Sequence, residues 1–233
     1  LVLFNQILEA VQFESSDIIV NSESFDLHAL AESSIDLLRS VAAHKKIKLE
    51  LIIDEKLPQY LFGASQYLGR ILLNLIGNAL KFTDEGCVRV KFLLDSPYQK
   101  KYKKDDVIQL KVVVEDTGIG IPKDKFDSIF EYFSRLSSSY QGVYKGSGLG
   151  LYTVKRYLDA MNGLIEVDSH LDRGSCFTIT LPLKVEEYGD STLLDFDLIV
   201  DSKLSKPMVL SNDTDGHYSL LLVEDQPAAA MAA

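Results

Sequence analysis

The stretch that decides the fold is RILLNLIGNALKF, residues 70–82. On a helical wheel of about 100° per residue, the polar and small residues share one arc and apolar residues fill the rest. We call this arc the asparagine seam; its members are Arg70, Asn74, Gly77, Asn78 and Lys81. A helix so apolar elsewhere is predicted to be largely buried. Because asparagine is a poor helix former, two on one seam favour a wet cavity or a ligand over an exposed stripe.

The seam carries groups that suit a metal ion and phosphates. Amide oxygens, as in Asn74 and Asn78, are neutral hard ligands of the kind that Mg²⁺ accepts beside phosphate oxygens. Lys81 adds a positive charge that phosphates would attract. The wheel therefore predicts a site, but does not identify its ligand.

A first glycine segment, EDTGIGIP at residues 115–122, directly follows a predicted strand. Two glycines separated by one residue allow a ligand to approach the backbone closely. At the strand end, Asp116 could accept a hydrogen bond from an exocyclic amine. An ordinary Asp-Thr-Gly turn is the alternative.

A second glycine segment, KGSGLGL at residues 145–151, opens a predicted helix. Free N–H groups at a helix N-terminus attract anions, although a glycine-rich helix start alone is a weak signal. The preceding residues 131–147 are rich in Ser, Tyr and Gly, which favours a mobile lid over a plain surface loop. Phe130 and Phe133 could anchor this lid, and Arg135 could reach an outer phosphate.

Composition restricts the class of protein. The 233 residues carry a formal net charge of −10, and 46% are hydrophobic. This charge argues against general binding to nucleic acid or anionic membranes, but not against a local nucleotide pocket. No apolar run reaches the roughly 18–20 residues that span a bilayer, so direct membrane insertion is not expected. Cys87 and Cys176 lack metal-ligand spacing and are predicted to be buried, reduced thiols.

Hydrophobic periodicity predicts an order of helix, strand, helix, strands, helix, strands, which favours an α+β fold, a two-layer α/β sandwich. Asp26 is predicted to cap the second helix. The predicted helices span residues 1–15, 26–45, 66–82 and 149–161, and the predicted strands span residues 47–53, 87–94, 107–114, 164–167 and 175–181.

Four motifs in this order resemble the catalytic ATPase domain of sensor histidine kinases, which is related to the gyrase, Hsp90 and MutL ATPases. Residues 72–83 resemble the N box, 116–122 the G1 box, 129–133 the F box and 146–151 the G2 box of that family. The resemblance covers about residues 26–183. It implies a Bergerat-type fold, a mixed sheet backed by three helices, with ATP between the sheet, the N-box helix and the lid.

The resemblance also implies roles for individual residues. Asn78 would hold Mg²⁺ with Asn74 assisting, Lys81 and Arg135 would meet phosphates, and Asp116 would meet the adenine amino group. Phosphoryl transfer would depend on Asn74, Lys81 and Arg135. The residues expected to bind ATP are Asn74, Asn78, Lys81, Phe82, Asp116, Gly118, Gly120, Ile121, Phe133, Lys145, Gly146, Ser147, Gly148, Leu149, Gly150 and Leu151.

The flanking segments resemble other parts of hybrid sensor kinases. Residues 1–15 resemble the end of the second dimerisation helix, 16–183 would form the catalytic domain, and 184–217 are predicted to be a linker. Residues 218–233, containing LLLVEDQP, resemble the truncated start of a receiver domain. The implied partners are the dimerisation and phosphoacceptor domain of the parent protein and a receiver domain, and the implied location is cytoplasmic.

No histidine of this chain stands in the family's phosphoacceptor pattern, so we expect the chain to bind ATP and Mg²⁺ without phosphorylating itself. The stretch GASQYLGR, residues 63–70, lacks the Asp, Arg and Gln that related kinases often carry there. This departure makes a degenerate or regulatory nucleotide-binding module the main alternative. An interaction platform is another, and an ATP-driven clamp would require a glutamate at position 74.

Overall fold

A computed structural model describes residues 20–97, 102–132, 134 and 148–186. These residues all belong to the larger of the two units into which the chain divides, Leu1–Leu194. The predicted dimerisation helix at 1–15, the receiver start at 218–233 and most of the predicted linker and lid lie outside the described residues.

The described residues form three α-helices and seven β-strands. The helices are α1 (Leu27–His44), α2 (Ser65–Phe82) and α3 (Gly150–Ala160). The strands are β1 (Glu23–Asp26), β2 (Lys48–Ile53), β3 (Tyr60–Gly63), β4 (Cys87–Leu94), β5 (Val107–Asp116), β6 (Leu164–His170) and β7 (Gly174–Val185). Two short 3₁₀ turns, Lys123–Lys125 and Ser128–Phe130, follow β5.

The seven strands make one mixed sheet in the order β1-β3-β7-β5-β4-β2, and β6 also pairs with β7. The pairing of β2 with β4 is parallel, and the other pairs are antiparallel. Alternate residues of the central strands, such as Val88, Val90 and Phe92, are buried in the core shared with the helices. The predicted α+β sandwich with a mixed sheet and three helices is therefore confirmed.

Helix boundaries follow from identifiable caps. Asp26 accepts a hydrogen bond from the backbone N–H of Ala29 at 3.0 Å, which confirms it as the N-cap of α1. After α3, Asn162 adopts a left-handed conformation with φ of 56°. The N–H of Gly163 then bonds to the carbonyl of Leu158 at 2.7 Å, so the helix ends and the chain turns into β6.

Two strands were not expected from the sequence, and β5, β6 and β7 are longer than expected. β1 and β3 have only four residues each, too few to show an alternating pattern. β7 continues through Val185, because Lys184 and Val185 pair with Phe62 and Leu61 of β3. The first two residues of the segment predicted to be a linker from 184 are thus part of the sheet.

The face of the sheet away from the helices is polar and partly exposed. Cys87 and Cys176 lie on this face as half-buried free thiols, so the prediction that both are buried was wrong. Their strands alternate, and it is the neighbouring residues Val88 and Phe177 that enter the core. In the part of the chain that the structure describes, no helix combines the length and apolarity needed to cross a membrane.

Candidate functional site

The asparagine seam runs along one side of α2 as predicted. Its five members are half-buried, whereas Ile71, Leu72, Leu75 and Ile76 are buried almost completely. Among the described residues, a Cβ atom added at Gly77 would meet no atom within 4 Å apart from its chain neighbours and its own helix backbone, so the seam borders open space at its midpoint. This open space lies beside both asparagines, where a ligand could contact their amide groups.

The N-terminus of α3 lies against the asparagine seam. A Cβ atom at Gly150, the first residue of α3, would lie 2.9 Å from Oδ1 of Asn74 and 3.8 Å from Nδ2 of Asn78. Asn74 donates from Nδ2 to the carbonyl of Arg70 at 2.9 Å, a bond within the helix that orients its amide. The fold thus brings the amides of one helix to the positive end of another, where anions are stabilised.

Lys81 and Phe82 lie at the C-terminal end of the seam. The Lys81 ammonium is 4.7 Å from the centroid of the Phe82 ring, within the range of a cation–π contact. This contact holds a positive charge one turn beyond Asn78, on the side of the helix that carries the seam.

Asp116 stands at the end of β5 with its carboxylate fixed by the backbone. Its Oδ1 accepts hydrogen bonds from the N–H groups of Gly118 at 2.8 Å and Ser175 at 3.2 Å. Burial raises the pKa of Asp116, and these two backbone hydrogen bonds partly oppose that effect. The carboxylate is therefore held in a defined orientation, as a group that recognises a ligand must be.

The Asp116 loop, residues 116–122, packs against the end of α2. The N–H of Ile119 donates to the carbonyl of Phe82 at 3.2 Å. A Cβ atom at Gly118 would overlap that same carbonyl, so only glycine allows this close approach. Helix α2 therefore borders the open space beside the seam and also contacts the loop that carries Asp116.

The β6–β7 hairpin, whose two strands the sequence predicted, supports the Asp116 loop from behind through contacts that sequence reasoning missed. The buried Ser169 hydroxyl accepts from the N–H of Ile121 at 2.8 Å and donates to the carbonyl of Gly174 at 2.9 Å. It also lies 3.0 Å from the hydroxyl of Ser175. Gly120, with φ of 70°, packs so closely on the β6–β7 turn that a Cβ atom would overlap the His170 carbonyl. These contacts join segments about 50 residues apart, and no local motif marks them.

The residues that depart from the family pattern make contacts of their own. Tyr67 stacks on Tyr157 of α3 with ring centroids 4.5 Å apart and an interplanar angle of 17°. Arg70 donates from Nη1 to the hydroxyl of Tyr157 at 2.9 Å. Ala64 is buried at the start of α2. Tyr67 and Arg70 thus join α2 to α3 near the end of the seam that carries Asn74.

The remaining predicted site residues are either buried or partly buried, or lie outside the described residues. The side chains of Ile121 and Leu149 are buried in the protein, so their contact with a ligand would involve backbone atoms. Leu151 is partly buried against the core, and Gly148 has φ of 76° beside the start of α3. Phe133, Arg135, Lys145, Gly146 and Ser147 lie outside the described residues.

The near end of the predicted lid is anchored to α3 by an aromatic pair. The rings of Tyr132 and Tyr152 meet edge to face with centroids 5.1 Å apart. Ile129 is buried, and Phe130 packs on the core from the preceding turn. Phe130 therefore contributes to the anchor as expected, whereas the Tyr132–Tyr152 contact was not foreseen.

The groups gathered here suit a nucleotide with a bound metal ion. Neutral amide oxygens beside a helix N-terminus fit Mg²⁺ held jointly by protein and phosphates. An oriented carboxylate in the Asp116 loop, at the C-terminal end of α2, fits an amine-bearing base. We call the side of α2 that runs from the Gly150 contact to this loop the cleft. The fold and these groups together define a nucleotide-binding α+β sandwich.

Comparison with known proteins identifies this class. Residues 63–185 match the family described as histidine kinase-, DNA gyrase B-, and HSP90-like ATPase. The chain belongs to this family of ATPases.

Relatives with named functions are sensor kinases. The chain is 35% identical over 210 residues to hybrid signal transduction histidine kinase A of Dictyostelium discoideum, a match covering 90% of the chain and 10% of that protein. It is 30% identical over 239 residues to the sensor histidine kinase AruS of Pseudomonas aeruginosa, covering 99% of the chain and 23% of AruS. The chain thus spans at most about a quarter of the length of these two relatives.

Solved structures show the same architecture. Full-length ShkA, crystallised in complex with AMPPNP, superimposes with a TM-score of 0.67 at 27% identity, covering 80% of this chain and 36% of ShkA. The catalytic domain of the histidine kinase ThkA shares the fold with a TM-score of 0.52 at 19% identity, covering 70% of this chain and 95% of that domain. The sandwich described here is therefore the fold of histidine kinase catalytic domains.

Proposed function

We propose that this chain is the ATP–Mg²⁺-binding catalytic domain of a hybrid sensor histidine kinase, which donates the γ-phosphoryl group of ATP to a histidine outside the chain. The observation that carries the proposal is the meeting of Asn74 and Asn78 with the start of α3 at Gly150. This meeting supports the proposal, because neutral amide oxygens beside a helix N-terminus suit a triphosphate with its metal ion.

Each end of the cleft has a proposed task. Asn78, assisted by Asn74, holds the metal ion, and Lys81 meets the phosphates together with Arg135 of the predicted lid. Asp116 accepts a hydrogen bond from the adenine amino group through its second carboxylate oxygen, since its Oδ1 already accepts two backbone bonds. Phe82 and the loop residues from Gly118 to Ile121 shape the adenine end, and residues 145–151 shape the phosphate end.

Phosphoryl transfer requires positioning and charge neutralisation more than covalent participation by the protein. Bound Mg²⁺ would supply charge neutralisation at the phosphates. The side chains of this chain bind and orient ATP, and Asn74 cannot act as a base for water, because its amide has no useful basicity near neutral pH. We therefore expect slow ATP hydrolysis and no self-phosphorylation by the isolated chain.

Calorimetric titration with AMP-PNP and Mg²⁺ tests nucleotide binding. We expect binding by the wild type and its loss in Asn78→Ala, because the variant lacks the amide oxygen that holds the metal ion. Asn21→Ala is the matched control and should bind like the wild type, because Asn21 is exposed and belongs to no helix or strand. No binding by the wild type would instead support a degenerate or regulatory module.

Incubation with γ-labelled ATP tests the transfer. Label should appear on a separately supplied phosphoacceptor domain of the parent protein and not on this chain. Stable label on the chain itself would contradict the proposal, because it would require an acceptor within these residues.

The parent protein is proposed to contain the dimerisation and phosphoacceptor domain and a receiver domain. The relative in Dictyostelium is itself named a hybrid kinase, and the LLLVED stretch near residue 220 resembles the start of a receiver. Because such a domain uses intracellular ATP, we propose that it works on the cytoplasmic side, whether or not the parent is membrane-anchored.

A further inference from the structure

The carbonyl groups at the C-terminus of α2 have unusual partners. The last carbonyls of a helix have no partner within the helix and need one elsewhere. In α2, the carbonyl of Ala79 accepts from the N–H of Thr83 at 3.1 Å, which ends the helical ladder. The carbonyl of Phe82 accepts from Ile119 of the Asp116 loop.

A single side chain, from the residue after α1, satisfies the other carbonyls of this turn. The ammonium of Lys45, the residue that follows α1, lies 2.7 Å from the carbonyl oxygen of Leu80 and 3.2 Å from that of Lys81. It lies 2.6 Å from the carbonyl oxygen of Thr83. An ammonium group has three N–H donors, so these three contacts use its full donor capacity.

An ordinary ion pair does not account for this placement. The nearest carboxylate in an ion pair with Lys45 is Asp84, at 3.6 Å, and the side chain of Asp84 is 67% exposed. Exposed ion pairs of this kind contribute little to the free energy of folding. The Lys45 side chain is only 27% exposed, and its shortest contacts are to backbone carbonyls at the negative end of the helix dipole.

We propose that Lys45 is a positioning residue for the nucleotide site, which it serves by fixing the C-terminal turn of α2 so that the Phe82 carbonyl faces the Asp116 loop. The carbonyls of Leu80, Lys81 and Thr83 surround that of Phe82 in sequence. Without the ammonium, they turn toward water and the turn loosens. The bond from Ile119 to Phe82 then opens more often, and Asp116 loses its fixed orientation.

The role in nucleotide binding rests on the proposed function, but the fixing of the C-terminal turn of α2 by Lys45, which we call the Lys45 clamp, does not. Amide hydrogen exchange in nucleotide-free protein measures it directly, in wild type and Lys45→Met. Methionine keeps the length and apolar stem of lysine and removes the donors. We expect exchange at the Ile119 amide to accelerate at least about tenfold, since bonds from a charged donor are among the stronger ones. Val112, in the central strand β5, should accelerate much less.

A matched variant separates the effect of losing a positive charge from the effect of losing the Lys45 clamp. Lys48→Met removes the same charge three residues away, from a lysine that is 73% exposed and paired with Glu50 on the sheet. We expect its Ile119 exchange to equal that of the wild type. If Lys45→Met left Ile119 unchanged, or accelerated Ile119 and Val112 by the same factor, the positioning role would be overturned.

Calorimetry with AMP-PNP and Mg²⁺ then tests the consequence for binding. Lys45→Met should weaken nucleotide affinity roughly tenfold, whereas Lys48→Met should retain it. Equal affinities for wild type and Lys45→Met would overturn the link to the nucleotide site. If the wild type bound no nucleotide, the proposed function would fail, and the exchange rates would still decide whether Lys45 clamps the helix.

Discussion

Two glycine-to-alanine variants should change the stability of the fold in opposite directions. Gly77 lies inside α2, and an added Cβ atom there would meet no other atom of the described segments within 4 Å beyond its own helix. Alanine in a helix interior is more stable than glycine by about 0.5–1 kcal/mol because it restricts the unfolded chain. We expect the free energy of unfolding to rise by that amount in Gly77→Ala, and the melting temperature by about 1–4 °C.

Gly120 has the reverse environment. Its φ of 70° lies in the left-handed region, and an added Cβ atom would overlap the backbone carbonyl of His170. The conformation alone costs a non-glycine residue about 1–3 kcal/mol, and the β6–β7 turn must also move. We therefore expect Gly120→Ala to lower the free energy of unfolding by at least about 2 kcal/mol.

Urea denaturation followed by circular dichroism measures both variants against the wild type. The slopes of the transitions should remain equal, so that differences in midpoint report stability. A loss of stability in Gly77→Ala would mean that the seam is covered by protein rather than open. A neutral Gly120→Ala would mean that the Asp116 loop does not pack on the hairpin as described. Either result would refute the assignment of the cleft.

Three further variants test other contacts of the site. The double-mutant cycle of Arg70→Met and Tyr157→Phe should give a coupling free energy of about 1 kcal/mol in urea denaturation, because the variants share one hydrogen bond; additive effects would show that the pair is uncoupled. Gly150→Ala should weaken AMP-PNP binding in calorimetry by displacing the Asn74 amide, with little change in melting temperature; unchanged affinity would argue against that contact. Burial raises the pKa of Asp116, so its ionised form costs the folded state stability at neutral pH, a cost that disappears as the pH falls from the raised pKa to below the ordinary Asp value of about 3.9. Wild type should therefore gain stability relative to Asp116→Asn on acidification from pH 7 to pH 4, and a relative loss would contradict the sign of the shift.

Much of the site could be predicted because the local sequence has a strong hydrophobic periodicity. The helical wheel of residues 70–82 separates seam from core, and apart from the half-buried Leu73 and Phe82 the burial of this segment follows that division. Asp116 could be placed at a strand end because a long apolar strand precedes the glycine segment. In both cases the informative residues lie within a few positions of one another.

The parts that escaped prediction depend on contacts between distant segments. Ser169 supports Ile121 across 48 positions, and Lys45 reaches the end of α2 across 35 to 38 positions. A buried serine or a lysine after a helix carries no local signal of these tasks. These contacts arise from strand register and helix packing, and a single sequence without its structure reveals neither the register nor the packing.

The two ends of the cleft are mechanically joined through one turn of α2. Asn78, proposed to hold the metal ion, lies four residues before Phe82, whose carbonyl accepts from Ile119 of the Asp116 loop. One helical turn advances about 5.4 Å, so a displacement of this turn moves the metal ligand and the Asp116 loop together. Because Lys45, directly after α1, holds the same turn, a displacement of the end of α1 would shift the contacts at both ends of the nucleotide. The affinity for the phosphate chain and the affinity for the base should therefore change together in variants of this turn, and variants confined to the hairpin at Ser169 should affect the base alone.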